Sequence, residues 1–183
     1  MRPWTIFTRL LSRGKGNPHM KTILFLRHGK SDWDADFNHD HERPLNTRGQ
    51  KAARRMGRFI AESGVVPEHI LTSTAVRAQT TLDLAREAGG WDAPVRATRS
   101  LYLAGPNDLL REIRSADDAA DVLLLVGHQP GWGETVGRLI GGATVRFPTA
   151  ALARVDVDVA RWTEVAFKTG ELVWLVPPKA LGK

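Results

Sequence analysis

Short apolar runs alternate along this chain with longer segments in which apolar residues recur every three or four positions. Residues 22–27 and 122–126 are almost wholly apolar, the pattern of parallel strands covered on both faces. Residues 70–72 and 94–98 predict two further short strands. Between them, Ala53, Met56, Phe59 and Ile60 give one helix an apolar face, and Ala75, Ala78, Leu82 and Ala85 give another. Thr47, with Gln50 three residues on, fits a capping box opening the first helix, and Gly64 and Pro67 end it. Gly89-Gly90 stops the second helix. Residues 106–113 predict a helix with proline in its first turn, and residues 132–140 one that stops at Gly141-Gly142. The last part is strand-like over 151–159, 162–168 and 171–176, with a Lys-Thr-Gly turn between the last two. Strands and helices alternate first and a hairpin comes last. The expected fold is therefore α/β: a three-layer α/β/α sandwich with a mostly parallel central sheet and an antiparallel edge.

A chain of 183 residues, 42% hydrophobic and 25% charged, fits one compact globular domain without internal repeats. It contains no cysteine, which excludes disulfides, thiolate metal sites and cysteine nucleophiles and is compatible with a cytoplasmic location. No apolar run approaches the ~18 residues of a membrane span. The net charge of +6 is uneven, because Arg2, Arg9, Arg13 and Lys15 put +4 into residues 1–19. Those residues read as a disordered or non-native N-terminal extension, with a transit peptide as the alternative, and the domain as 20–183. The composition is compatible with a start at Met1 or at Met20. The remaining +2 is no basic field for nucleic acid.

Two apolar strands lead into histidines, His28 and His128. If both lie parallel in one sheet, both histidines emerge at its carboxyl edge, where such sheets bind ligands. Arg27 offers a planar fork of donors for phosphate oxygens, and His28 a nucleophile or base near neutral pH. Arg77 falls in the first turn of the helix after the second strand. A cation there opposes the helix dipole unless an anion lies nearby. Two arginines and two histidines around a helix N-terminus match a phosphoryl group. There is no Gly-rich Walker loop and no serine nucleophile elbow.

These residues resemble the histidine phosphatase superfamily, which includes cofactor-dependent phosphoglycerate mutases and acid phosphatases. The resemblance runs from Lys21 through most of the chain. It is carried in order by Arg27-His28-Gly29, Pro44-Leu45-Asn46-Thr47-Arg48-Gly49, residues 73–80, and Val126-Gly127-His128-Gln129-Pro130. Lys30-Ser31-Asp32-Trp33, Leu101-Tyr102-Leu103-Ala104 and Phe147-Pro148-Thr149-Ala150 are most similar to the short SixA-type phosphohistidine phosphatases. The resemblance implies a phosphoglycerate mutase-like fold and a phosphohistidine enzyme intermediate. In it His28 attacks phosphorus, Arg27 and Arg77 clamp the phosphoryl oxygens, His128 donates a hydrogen bond to them, and neither metal nor cofactor is needed.

Many members of that superfamily carry an acidic general acid after the second motif. Residues 99–104 hold no carboxylate, and Asp108 is the nearest candidate. A missing acid handicaps esters more than phosphoramidates, and the short spacings between motifs leave no insertion to cap the site. Both points favour phosphohistidine on a protein as substrate. The alternatives are a metal-independent phosphomonoesterase for a small phosphorylated metabolite and an inactive phosphoprotein-binding module. Mutase activity fits less well, for want of the acid and of enclosing insertions. Nothing in the sequence addresses oligomeric state.

Ser31 is a candidate phosphate contact, with a local turn bond as the competing reading. The acidic and His-rich stretch from Asp32 to Glu42, which includes Asp40, reads as solvated or substrate-facing rather than as a metal site. Trp33 is expected to pack as an ordinary aromatic, with a place on the site rim as the alternative, and Trp132 to pack under the His128 loop. Asn46 and Arg48 are expected to order the loop and helix start.

Overall fold

The computed structural model describes residues 20–182. The expected extension over 1–19 lies outside the described residues. Six strands form one sheet: β1 (Met20–Arg27), β2 (His69–Ser73), β3 (Val95–Thr98), β4 (Val122–Gly127), β5 (Leu152–Asp158) and β6 (Gly170–Val176). Their order is β3-β2-β4-β1-β5-β6. The first four pair in parallel, β5 runs antiparallel to β1, and β6 antiparallel to β5.

Four helices cover the two faces: α1 (Thr47–Ser63), α2 (Val76–Gly89), α3 (Pro106–Arg114) and α4 (Gly131–Leu139). Strand alternation divides the core between them. Leu24, Leu26, Ile70, Leu124 and Val126 pack with Met56 and Ile60 of α1 and Ala78 and Leu82 of α2. Ile23, Phe25, Leu71, Leu123 and Leu125 pack with Leu109 and Ile113 of α3 and Trp132 and Val136 of α4. The result is the expected three-layer sandwich, mostly parallel with an antiparallel edge. No helix among the described residues is long and apolar enough to cross a membrane.

Two local expectations are corrected. The cap of α1 is Asn46, whose side chain accepts the Gly49 backbone N–H at 2.9 Å, in place of the predicted Thr47–Gln50 box. Residues 162–168 do not form a strand. Trp162–Glu164 is a 3-10 turn, and the Trp162 indole donates to the carbonyls of Asp117 and Ala120 at 3.1 and 2.9 Å. Trp162 and Val165 are buried as a plug in the α3/α4 face of the core, so the hairpin partner of β5 begins only at Gly170.

Candidate active site

The register of β1 with β4 sets the centre of the site. Leu26 lies opposite Val126 and Arg27 opposite Gly127, and the pairing continues with the His28 N–H donating to the Gly127 carbonyl at 2.9 Å. The two histidines therefore leave the sheet edge side by side, with ring centroids 5.0 Å apart. The turn after His28 is held against the start of α1. A Cβ on Gly29 would come within 2.7 Å of the Gly49 carbonyl oxygen, and one on Gly49 within 2.2 Å of the Lys30 oxygen. Only two glycines let these backbones meet. Thr81 of α2 ties in the third element: its hydroxyl accepts the Gly29 N–H at 3.0 Å and donates to the Arg77 carbonyl at 2.6 Å.

A cavity of about 610 Å³ opens at this edge, and Arg27, His28, Ser31, Arg77 and His128 all line it. The structure thus brings together the five residues that the sequence offered as nucleophile or phosphate contacts, but not Asp108. Ser31 is buried, and its hydroxyl accepts from Arg43 Nη1 at 2.6 Å. Arg27 donates Nη1 to the Phe147 carbonyl at 2.8 Å. Its Nε, the Nε of Arg77 and the Nδ1 of His128 are buried without a partner among the described residues. Buried donors of this kind favour an anionic ligand.

The geometry also assigns protons. His28 Nδ1 lies 2.6 Å from the Gly29 carbonyl oxygen, an acceptor only. Nδ1 therefore carries the proton, and Nε2 keeps its lone pair. Burial, reinforced by the charges of Arg77, Arg27 and Arg43, lowers the His28 pKa to about 4, so the ring is neutral near pH 7. His128 is lowered to about 3 by burial and then by His28 and Arg77. Its Nε2 is 2.8 Å from the Ser73 hydroxyl, which also accepts the Ala75 N–H at 3.3 Å. Ser73 can then give its own proton to Nε2, leaving the His128 proton on Nδ1, available to an anion.

Three residues the sequence did not single out for the site complete it. Arg77 donates to the Asp40 carbonyl oxygen and to its carboxylate, at 2.5 and 2.9 Å. Arg43 donates to the other carboxylate oxygen of Asp40 at 2.7 Å, and the Tyr102 hydroxyl reaches Asp40 at 2.8 Å. Burial works against an ionised Asp40, but the Tyr102 hydrogen bond and the charges of Arg77 and Arg43 outweigh it and hold the pKa at about 2. The dipole conflict of Arg77 at the start of α2 is thus met from within the chain. The signal in the sequence, an acid and a base three residues apart, is no different from that of a surface pair.

Asp108 is not part of this cavity. It is the third residue of α3, accepts the Gly105 N–H at 3.2 Å and pairs with Arg111. Its carboxylate closes a helix end, away from the cavity where a general acid would act. Trp33 takes the alternative to ordinary packing: it is 69% exposed on the cavity rim, stacked on the Arg43 guanidinium with 3.5 Å from its central carbon to the ring centroid. Trp132 is fully buried beneath the His128 loop, edge-on to Phe25.

Comparisons with known proteins bear on the family and the fold. The family model of the histidine phosphatase superfamily (branch 1) matches residues 23–102. The chain is 32% identical over 166 residues to an uncharacterised protein of Mycobacterium leprae, covering 84% of this chain and all of that one. A structure described as a candidate phosphohistidine phosphatase SixA from Agrobacterium tumefaciens superposes with a TM-score of 0.74 at 26% identity, covering 86% of this chain and 98% of that one. The protein histidine phosphatase SixA complexed with tungstate shares the fold, with a TM-score of 0.76 at 24% identity over 87% of this chain and 99% of that one. Such relatives support phosphatase activity on a phosphorylated substrate. With four motifs in order on this sheet edge and relatives spanning the domain, the chain belongs to the histidine phosphatase superfamily and is SixA-type in fold.

Proposed function

We propose that this protein hydrolyses phosphohistidine on a protein, through a phosphohistidine intermediate on its own His28. One observation carries the reading. Asp40, the sole carboxylate lining the cavity among the described residues, is held ionised by Arg77, Arg43 and Tyr102. It has no proton to give an alkoxide leaving group at neutral pH. A phosphohistidine ring protonated on its second nitrogen needs none, because it departs as neutral imidazole.

His28 Nε2 attacks phosphorus in line. The P–N bond of the substrate breaks, and its electron pair stays on the departing imidazole nitrogen. His28 becomes a phosphoimidazolium whose Nδ1–H faces the Gly29 carbonyl. Arg27, Arg77 and the Nδ1–H of His128 take the phosphoryl oxygens, where charge builds in the transition state. In this reading Ser31, which lines the cavity, contacts the same group. Water then attacks phosphorus, the P–Nε2 pair returns to His28, and both water protons leave on the phosphate. The arginines supply the positive charge, so neither metal nor cofactor enters these steps.

The open mouth supports a macromolecular substrate. Trp33 and Leu103, each 69% exposed, line the cavity as apolar contacts for a protein surface. Work in a reducing cytoplasm belongs to the same reading, since the chain has no cysteine to lose.

The test is hydrolysis in EDTA by the protein and its His28→Ala variant. Substrates are a histidine-phosphorylated carrier protein, a panel of sugar phosphates and an aryl phosphate. Turnover of the phosphoprotein far above that of the esters, and lost with His28, is the expected result. Preference for a sugar phosphate would move the protein to the small-molecule phosphomonoesterases. Binding of the phosphoprotein without turnover would make it an inactive phosphoprotein-binding module.

A further inference from the structure

Beside the catalytic cavity, and sharing Lys30, Arg48 and Thr149 with it, runs an open groove of about 920 Å³. Lys30, Arg48, Lys51, Arg55, Arg146 and Lys179 line it, and no acidic residue does. Separate parts of the chain bring these cations together. Arg48, Lys51 and Arg55 recur at three and four residues along α1 and share one helical face. Lys30 follows the His28 turn, Arg146 precedes β5, and Lys179 lies in the 3-10 turn Pro178–Leu181 after β6.

Nothing described in the chain neutralises them. Arg55 donates to the Pro178 carbonyl at 3.2 Å, but none of the six forms an ion pair among the described residues. The ion pair between α1 and α2 runs instead through Arg54 and Glu87. Like charges stacked on one helical face repel and weaken the helix. Nor does the groove merely reflect a basic protein, because residues 1–19 carry +4 of the total +6. It is a local concentration of charge on a nearly neutral domain, and such a cleft collects extended anions. Ala52, Pro148 and Leu175 add apolar lining to the same groove.

We infer that this groove docks an acidic segment of the substrate protein, beside the phosphohistidine that enters the cavity. The inference rests on the phosphohistidine reading of the site and adds to it what the substrate carries next to the reacting residue. Lys30 and Arg48 belong to both cavities, so a segment lying in the groove leads to His28. A small phosphorylated metabolite would fill the inner cavity without reaching Lys51, Arg146 or Lys179.

The test measures binding independently of catalysis. Fluorescence anisotropy follows three labelled probes on the full chain: an unphosphorylated peptide with one histidine beside a run of Asp and Glu, the same peptide with serines in place of the acids, and a single-stranded oligonucleotide of equal charge. The acidic peptide should bind at least tenfold tighter than the serine peptide at low salt. It should lose at least tenfold in the triple variant Lys51→Glu, Arg146→Glu, Lys179→Glu, and lose affinity again as salt rises. The Gln counterparts of the three substitutions, with a matching melting curve, should lie between and separate lost charge from lost folding. Equal binding of the acidic and serine peptides, or unchanged binding by the variant, would overturn the inference, as would tighter binding of the oligonucleotide.

Hydrolysis of the two peptides after chemical histidine phosphorylation separates this inference from the one beneath it. Equal kcat/KM for both, in wild type and variant alike, removes the groove and keeps the phosphohistidine substrate. Binding of the acidic peptide without hydrolysis of its phosphorylated form keeps the groove as an acidic docking site and removes that substrate.

Discussion

Asp40 occupies Arg77 with two hydrogen bonds, one to its carbonyl oxygen and one to its carboxylate. The same carboxylate takes Arg43 and the Tyr102 hydroxyl. An internal anion therefore sits against the arginine proposed to clamp the phosphoryl group. It keeps a buried guanidinium in place, and it repels an arriving phosphate.

Asp40→Asn separates those two effects. Loss of the charge should tighten competitive inhibition by inorganic phosphate, by about fivefold for a partly exposed charge of this kind (~1 kcal/mol). Loss of the anchor for Arg77 should lower kcat on the phosphohistidine substrate. A Ki for phosphate that stays the same or rises would show that the carboxylate serves only to hold Arg77 and does not compete with the anion.

The depressed histidines set the pH response. A neutral His28 attacks and a protonated one cannot, so kcat/KM, corrected for ionisation of the substrate, should hold down to pH 5. It should fall only near the His28 pKa of about 4. The limb expected of an unperturbed histidine would lie near 6.5.

Stability moves in the corresponding direction. In the folded state His28 and His128 bind protons only near pH 4 and 3. The unfolded chain binds them near 6.5, so as pH falls from about 7 toward 4 protons favour unfolding. Tm should fall across that window, and it should fall less in His28→Ala. An equal fall in the variant would place the cause elsewhere.

Asp108→Asn tests the helix-cap assignment. Activity on esters and on phosphohistidine should stay within about twofold, while weakening the α3 cap should cost about 0.5–1 kcal/mol in urea unfolding. A selective loss of ester hydrolysis would instead restore Asp108 as a general acid.

Gly49→Ala probes the contact that seats the His28 turn. The added methyl would lie 2.2 Å from the Lys30 carbonyl oxygen, which is backbone and cannot swing aside. Overpacking of this kind costs about 1–3 kcal/mol. Phosphatase activity should fall by more than the unfolded fraction explains, because the displaced Lys30 backbone is part of the turn that carries His28. Full activity in the folded fraction would show that the turn tolerates the shift.

Much of the fold was legible because burial on both faces leaves a local mark. β1 over 23–26 and β4 over 122–126 are continuous apolar runs, and the histidines that follow them at the carboxyl edge, His28 and His128, could be named from position alone. Residues 162–168 also read as strand-like, and that reading misled. Local pattern reports that Trp162 and Val165 are buried, and it does not report whether they are buried in a sheet ladder or as a plug beneath it.

The chemistry divides along the same line. The sequence by itself determined which residue types end the strands and open α2: Arg27, His28, Arg77 and His128. Tertiary structure alone decided that β1 and β4 pair in a register that sets the two imidazoles 5.0 Å apart. It alone decided that Asp40 lies against Arg77, 37 positions away, and against Tyr102, 62 positions away. A carboxylate on an acidic loop reads the same whether water or a guanidinium faces it. The ion pair forms only when separate elements bring the two charges together, and that approach leaves no local periodicity in the chain.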